Sequence, residues 1–230
     1  MQSTKSQILA HLKRSGGSSV DALAGMLGLA RMTVRQHLAG LERDGFVDSR
    51  EERRRTGRPH LLFTLSDRGQ EMFPKRYDRL ADLALQEVAF LDADEIAGLN
   101  PSQKKRLLLS KMAERVYLQH ARRVEGKELP ERVATVAQIL EEEGGFAEWR
   151  GDGREFEIID YNCVYRRVAD SHDDICDWHM ELLARLLGKQ VGCSQFQSQG
   201  AESCRFVVRQ DQASPVTSAP PAKGRIAHGG

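Results

Sequence analysis

Residues 33–47 read TVRQHLAGLERDGFV, and residues 56–69 read TGRPHLLFTLSDRG. In the first stretch Val34, Leu38 and Leu41 recur at i, i+4 and i+7, which predicts an amphipathic helix from about Ala30 to Arg43 with those three facing a core. Its opposite side then presents Met32, Arg35, Gln36 and Arg31. Arg can pair bidentately with guanine and Gln with adenine in a major groove, while Thr33 and His37 sit where a backbone phosphate is the expected contact. A polar helix face can also do no more than meet solvent, and the residues that follow weigh against that. Phe46 to Arg50 and Leu61 to Leu65 have the composition of two short strands, joined by a loop from Glu51 to His60. The loop holds Arg53, Arg54, Arg55 and Arg58. A hairpin with four arginines at its tip, placed just after such a helix, is a wing able to neutralise phosphates or enter a minor groove.

Upstream, Ile8, Leu9 and Leu12 mark a short helix over residues 4–14 that Gly16-Gly17 ends. Ser18 or Ser19 is a fitting N-cap for a second helix, with Val20, Leu23, Ala24 and Leu27 inward and Gly28 as its stop. Two short helices joined by a tight glycine-containing turn form a helix-turn-helix unit. Residues 1–67 are therefore expected to be a winged helix-turn-helix domain that binds double-stranded DNA. The two stretches quoted above resemble winged-helix repressors of the DeoR, ArsR and MarR-like kind, a resemblance that covers most of residues 5–70.

Downstream, Ser66 caps a predicted long helix reaching Phe90, with Phe73, Tyr77, Leu80, Ala84 and Val88 along one stripe and Pro74 as a possible kink. The stripe could pack within the chain or against its copy. Pairing is favoured, because winged helices commonly read two half-sites as a symmetric homodimer. Lys104–His120 and Pro130–Glu143 are further helices, with Leu107, Leu108, Met112 and Val116, then Val133, Val136, Ala137 and Leu140 as apolar faces. Residues 68–128 are accordingly read as connecting and dimerisation helices, and 129–210 as an α+β sensor domain. The whole chain falls in the α+β class.

The sensor assignment rests on cysteine placement. Cys163, Cys176, Cys193 and Cys204 are the only cysteines of the 230-residue chain, and all lie in its last third. With no secretory leader and no apolar run of about 18 residues, the expected location is the cytoplasm, without membrane insertion. There, clustered thiols point to a metal, a cluster or redox sensing rather than disulfides. The paired CxxC spacing of zinc ribbons is absent. Arg154–Tyr161 is a predicted strand with Cys163 just beyond it, and Cys176 falls early in a helix that Gly188 stops. Lys189–Gln199 and Cys204–Gln210 are expected to be two strands turning near Gly200-Ala201. That turn would set Cys204 opposite Gln197 and Cys193 four residues further along, about 13 Å away, unless a bulge or another turn intervenes. Cys163, Cys176 and Cys204 are thus the expected ligand set, with Cys193 a doubtful fourth.

NCVYRRVADSHDDIC at 162–176, ELLARLLGKQV at 181–191 and GAESCRFVV at 200–208 resemble the C-terminal part of SufR-type iron–sulfur-sensing repressors. The resemblance implies a [4Fe–4S] cluster on Cys163, Cys176 and Cys204, and repression of iron–sulfur assembly genes while the cluster is intact. The fourth iron could take Cys193, a carboxylate, His172, His179 or a small exogenous ligand. Asp173, Asp174 and Asp177 beside Cys176 would disfavour added negative charge. Zinc binding or thiol oxidation through the same cysteines is the alternative sensing chemistry.

Charge is divided along the chain. Residues 1–70 hold 12 Lys and Arg against 7 Asp and Glu, a balance of +5, whereas the remainder carries −4. A basic first domain joined to an acidic second suits a nucleic-acid reader with a separate sensing module. No phosphate-cradling glycine loop, zinc-protease histidine pair or nucleophile elbow is present, so no enzymatic activity is expected. Residues 211–230, rich in Pro, Ser, Ala and Gly, are expected to be a disordered tail.

Overall fold

The structure is a computed structural model and describes residues 3–52 and 60–211. Arg53, Arg54, Arg55 and Arg58 lie outside the described residues, as does all of the predicted tail except Asp211.

Local capping chemistry sets the first helices. Ser3 accepts a hydrogen bond from the Ser6 amide to start α1 (Thr4–Ser15), and Ser19 does the same from Ala22 for α2 (Val20–Leu27). Each helix stops at a glycine in the left-handed region, Gly16 at φ 67° and Gly28 at φ 64°. α3 (Arg31–Arg43) follows almost at once. Strand β1 (Val47–Glu52) pairs antiparallel with β2 (His60–Leu65), from Val47 opposite Leu65 to Glu52 opposite His60. The strands run one or two residues further toward the tip than the sequence reading placed them. Ser18, in the turn before α2, exchanges both backbone hydrogen bonds with Phe63 and so ties the helices to the hairpin. Ile8, Leu12, Leu23, Val34, Leu38, Leu41, Val47 and Phe63 close this first core.

The expected long helix from Ser66 to Phe90 is broken. α4 (Asp67–Gln70) ends after a single turn, residues 71–76 are not helical, and α5 (Tyr77–Ala89) starts afresh. Pro74 is the physical reason: it lacks the amide that a helix interior needs and turns its predecessor away from the helical region. The break sends Phe73 back into the first core, edge-on to Phe146 at 5.2 Å, rather than along a stripe with Leu80. Leu80 and Leu83 face the second core, and Val88 is exposed.

The second core is built by α5, α6 (Ala93–Ile96), α7 (Pro101–Val124), α8 (Leu129–Glu142), α9 (Arg166–Ala169) and α10 (Asp174–Leu187) against a four-stranded antiparallel sheet. The sheet comprises β3 (Ala147–Gly151), β4 (Glu155–Asp160), β5 (Gly192–Gln195) and β6 (Cys204–Arg209), in the order β3-β4-β6-β5. A 3-10 turn at Gln197–Gln199 lies between β5 and β6. Period-two alternation turns Cys204, Phe206 and Val208 of β6 inward beside Phe156 and Ile158 of β4. α7 and α10 pack along each other and carry Met112, Ala113 and Val116 against the helices and sheet. The connecting helices share one core with the cysteine-bearing unit. Among the described residues no helix is long and apolar enough to cross a membrane.

Candidate DNA interface and thiol site

α3 buries Val34, Leu38 and Leu41 and turns Arg31, Met32, Arg35 and Gln36 outward, with Thr33 and His37 half-buried on its flanks. Met32 keeps 63% of its surface exposed, a large apolar side chain left in the open on the face that would meet base edges and thymine methyls. Arg31 is tied to Asp21 of α2 at 2.9 Å, a contact that orients it and that a phosphate would have to replace. No side chain caps the N-terminus of α3, so its first amides remain free to meet an anion. The hairpin that would carry the wing arginines leaves the domain directly after this helix.

The four thiols come from four different parts of the fold. Cys163 lies three residues beyond β4, Cys176 in the first turn of α10, Cys193 on β5 and Cys204 at the start of β6. The sequence reading set Cys193 some four residues from the partner of Cys204, and the strand register overturns that. Cys193 pairs with Phe206, two residues from Cys204, because the 3-10 turn and its flanking loop take up residues 196–203 and the ladder shifts between Cys193 and Gln195. Residues diagonal across an antiparallel pair are about 7–8 Å apart. The doubtful fourth thiol therefore lies diagonal to Cys204 across the strand pair.

Electrostatics describes the same gathering. A thiolate at Cys176 would disfavour one at Cys163 and at Cys193, and Cys204 feels both Cys163 and Cys193. Each thiol so couples electrostatically to two others, a ring of couplings through Cys163, Cys176, Cys193 and Cys204 and not of contacts. Burial pushes Cys163 up to about 11 and Cys204 well above the ordinary thiol range, and it raises Cys176 and Cys193 too. Asp173, Asp177 and Asp170 add to the effect at Cys176, whereas Asp174 is paired with Lys105. Among the described residues no three His, Cys, Asp or Glu side chains stand as close as the ligands of a single ion.

The 3-10 turn touches three of the four cysteine segments. The Gln197 amide nitrogen donates to Cys204 Sγ at 3.4 Å, its side-chain oxygen accepts from the Cys163 amide at 2.7 Å, and Ser198 Oγ is 3.3 Å from Cys176 Sγ. Of the histidines considered as ligands, His172 is exposed. His179 lines the same small cavity, about 50 Å³, as Cys163 and Cys204, its ring edge-on to Phe206, and burial lowers its pKa to about 4, leaving it neutral.

Between the thiol ring and the DNA-binding domain runs a buried polar seam that sequence reasoning missed. Lys75 Nζ donates to the Cys163 carbonyl at 3.2 Å and to Asn162 Oδ1 at 3.1 Å. Asn162, wholly buried, donates in turn to the carbonyls of Pro74 and Gly144. Asp160 accepts from the amides of Phe146 and Asn162, and burial raises its pKa. From the other side, Lys13 of α1 is 4% exposed, donates to Gln70 Oε1 at 2.5 Å and lies over the Phe73 ring. Arg14 pairs with Glu148 at 3.2 Å and covers Phe146. The one sequence signal was Lys13 itself, a charge four residues after Leu9 on the face that α1 buries.

Comparison with known proteins agrees with the first domain. Residues 1–48 match the family described as winged helix-turn-helix DNA-binding, so the N-terminal domain is a DNA-binding winged helix. No curated protein matches the chain. A solved structure, "Crystal structure of Bacillus subtilis PadR in complex with operator DNA", aligns over 81% of this chain and 89% of that one at 18% identity, with a TM-score of 0.28.

Proposed function

We propose that this DNA-binding protein is a transcription regulator, a repressor acting as a homodimer, whose operator affinity depends on a [4Fe–4S] cluster held by Cys163, Cys176 and Cys204 with Cys193 as the fourth ligand. The observation that carries the reading is that one 3-10 turn touches the Cys163, Cys176 and Cys204 segments while Cys193 lies diagonal to Cys204 across β5 and β6, with the Cys163 loop hydrogen-bonded to Lys75 on the segment that leaves the DNA-binding domain. The donor set fits. Thiolates are the usual holders of iron–sulfur clusters, and a cube spreads its ligands over its corners, farther apart than those of one ion. Zinc on the same thiols would ask all four sulfurs to close to about 2.3 Å of a single centre. A thiol-oxidation switch wants low-pKa, accessible cysteines, and burial works against both here. A bound cluster would supply charge that compensates buried thiolates and a crosslink that oxidants can remove.

The chain's own residues transmit the state of the ring. Lys75 and Asn162 hold the Cys163 loop to the segment around Pro74, which leads from the wing hairpin into α5. Lys13 and Arg14 hold α1 to the opposite side of that seam. Any change in the Cys163 loop therefore alters how the winged helix sits on the rest of its chain, and with it the spacing of two recognition helices in a dimer. A second copy has a face to meet: Leu85, Val88 and Phe90 of α5 and its end, and Leu118 of α7, are 54–71% exposed. The target genes implied by the resemblance are those of iron–sulfur assembly.

The deciding experiment isolates the protein without oxygen, measures iron and sulfide per chain, and compares the affinity of cluster-loaded and stripped protein for duplexes selected from a random pool. Brown protein with iron, sulfide and tighter DNA binding is expected. Protein that takes up neither iron nor sulfide on anaerobic reconstitution, or binds selected DNA equally in both states, would overturn the proposal.

A further inference from the structure

We propose that Gln197 is the positioning residue of the thiol ring, the side chain that gathers the Cys163 and Cys204 loops so that both sulfurs face one centre. The inference rests on the cluster reading above and deepens it. Gln197 opens the 3-10 turn and is 4% exposed, unusual for an uncharged polar side chain in a loop. Its amide is fully engaged. The oxygen accepts from the Cys163 amide at 2.7 Å, and the nitrogen donates to the Tyr161 carbonyl at 2.9 Å and the Glu202 carbonyl at 2.7 Å. One planar group thus joins the segment leading into Cys163 to the segment leading into Cys204. Its backbone adds the contact to Cys204 Sγ and accepts from Gly200, closing the loop.

No other residue type of this size does this. Two donors and one acceptor in a plane, met by two carbonyls and one amide, is the complement of a primary amide. Glutamate keeps the shape but aims an acceptor at two carbonyls in a buried place, and methionine keeps the bulk with no hydrogen bonds. Gln199 at the other end of the same turn is exposed and serves as the control.

The test uses the full chain, prepared anaerobically as wild type, Gln197→Glu, Gln197→Met and Gln199→Ala. Each is reconstituted with ferrous iron and sulfide. Iron per chain and the decay of visible absorbance in air are followed, and on iron-free protein the rate at which a disulfide reagent labels Cys163 and Cys204 is measured. Both Gln197 variants are expected to lose the visible chromophore at least about tenfold faster and to label at least about tenfold faster, with Gln199→Ala like wild type. Thermal melts and far-ultraviolet spectra identify a variant that has unfolded, in which case the other Gln197 variant decides. Wild-type chromophore lifetime and labelling in a folded Gln197→Met would overturn the proposal. If wild type itself binds no iron, the cluster reading falls, and the labelling arm alone decides whether Gln197 pins the thiols.

Discussion

Lys13 illustrates how one side chain ties chemistry to architecture. Burial, then the nearby Lys75, lowers its pKa to about 7, against an ordinary 10.5. Between those values the unfolded chain holds a proton that the folded chain does not, so this residue's contribution to stability rises as pH rises from about 7 to 10.5; below 7 the cost of burying the charge is felt in full. The stability of wild type relative to Lys13→Met is therefore expected to improve by up to about 1.4 kcal/mol per pH unit across that window, measured by denaturant titration at each pH. A flat difference would show that Lys13 is not held in this environment. On α3, Arg35 and Gln36 are exposed and bury nothing. Arg35→Ala and Gln36→Ala should each weaken binding to selected DNA by about 1–3 kcal/mol in anisotropy titrations while the melting temperature stays put.

Elements are held by a few close approaches. Gly69 in α4 has the Phe46 carbonyl oxygen 2.0 Å from where a Cβ would be, so the single helical turn after β2 can lie against the α3–β1 connection only without a side chain there. Gly69→Ala should loosen the winged helix, seen as lost DNA binding with a lowered first unfolding transition, while the second core melts as before. In that second core Met112 of α7 is 1% exposed where α7 meets α10, and Met112→Ala should cost about 2–5 kcal/mol by chemical denaturation. The Pro74 break is of the same order of importance. By ending one helix it lets Phe73 reach Phe146 and puts the carbonyl of Pro74 within reach of Asn162.

At the scale of the whole molecule the two cores meet at a seam whose polar groups are satisfied across it, so the domains are expected to move as a coupled pair. Arg14→Ala with Lys75→Ala should leave each core folded but uncouple them, so that DNA affinity no longer follows the state of the thiols. Replacing Leu85 and Val88, both well over half exposed, by Glu should yield a monomer by light scattering and weaken operator binding by more than tenfold. A monomeric wild type would remove the dimer from the proposal.

The winged helix was legible in the sequence because its signals are local. Cap serines, stop glycines and a stripe at i, i+4, i+7 act within a few residues, and they carried α1, α2, α3 and the hairpin to within a residue or two. The α+β class and the grouping of cysteines in the last third were legible for the same reason. What one chain of letters could not decide was how far apart Cys193 and Cys204 sit, since that depends on a 3-10 turn and its flanking loop between them and on a shifted ladder. Nor could it decide which partners Lys13, Lys75, Asn162, Asp160 and Gln197 find, for their contacts join segments up to 88 positions apart. Such partners are chosen by burial, where an unpaired polar group is costly, and burial exists only once the two cores have closed on each other.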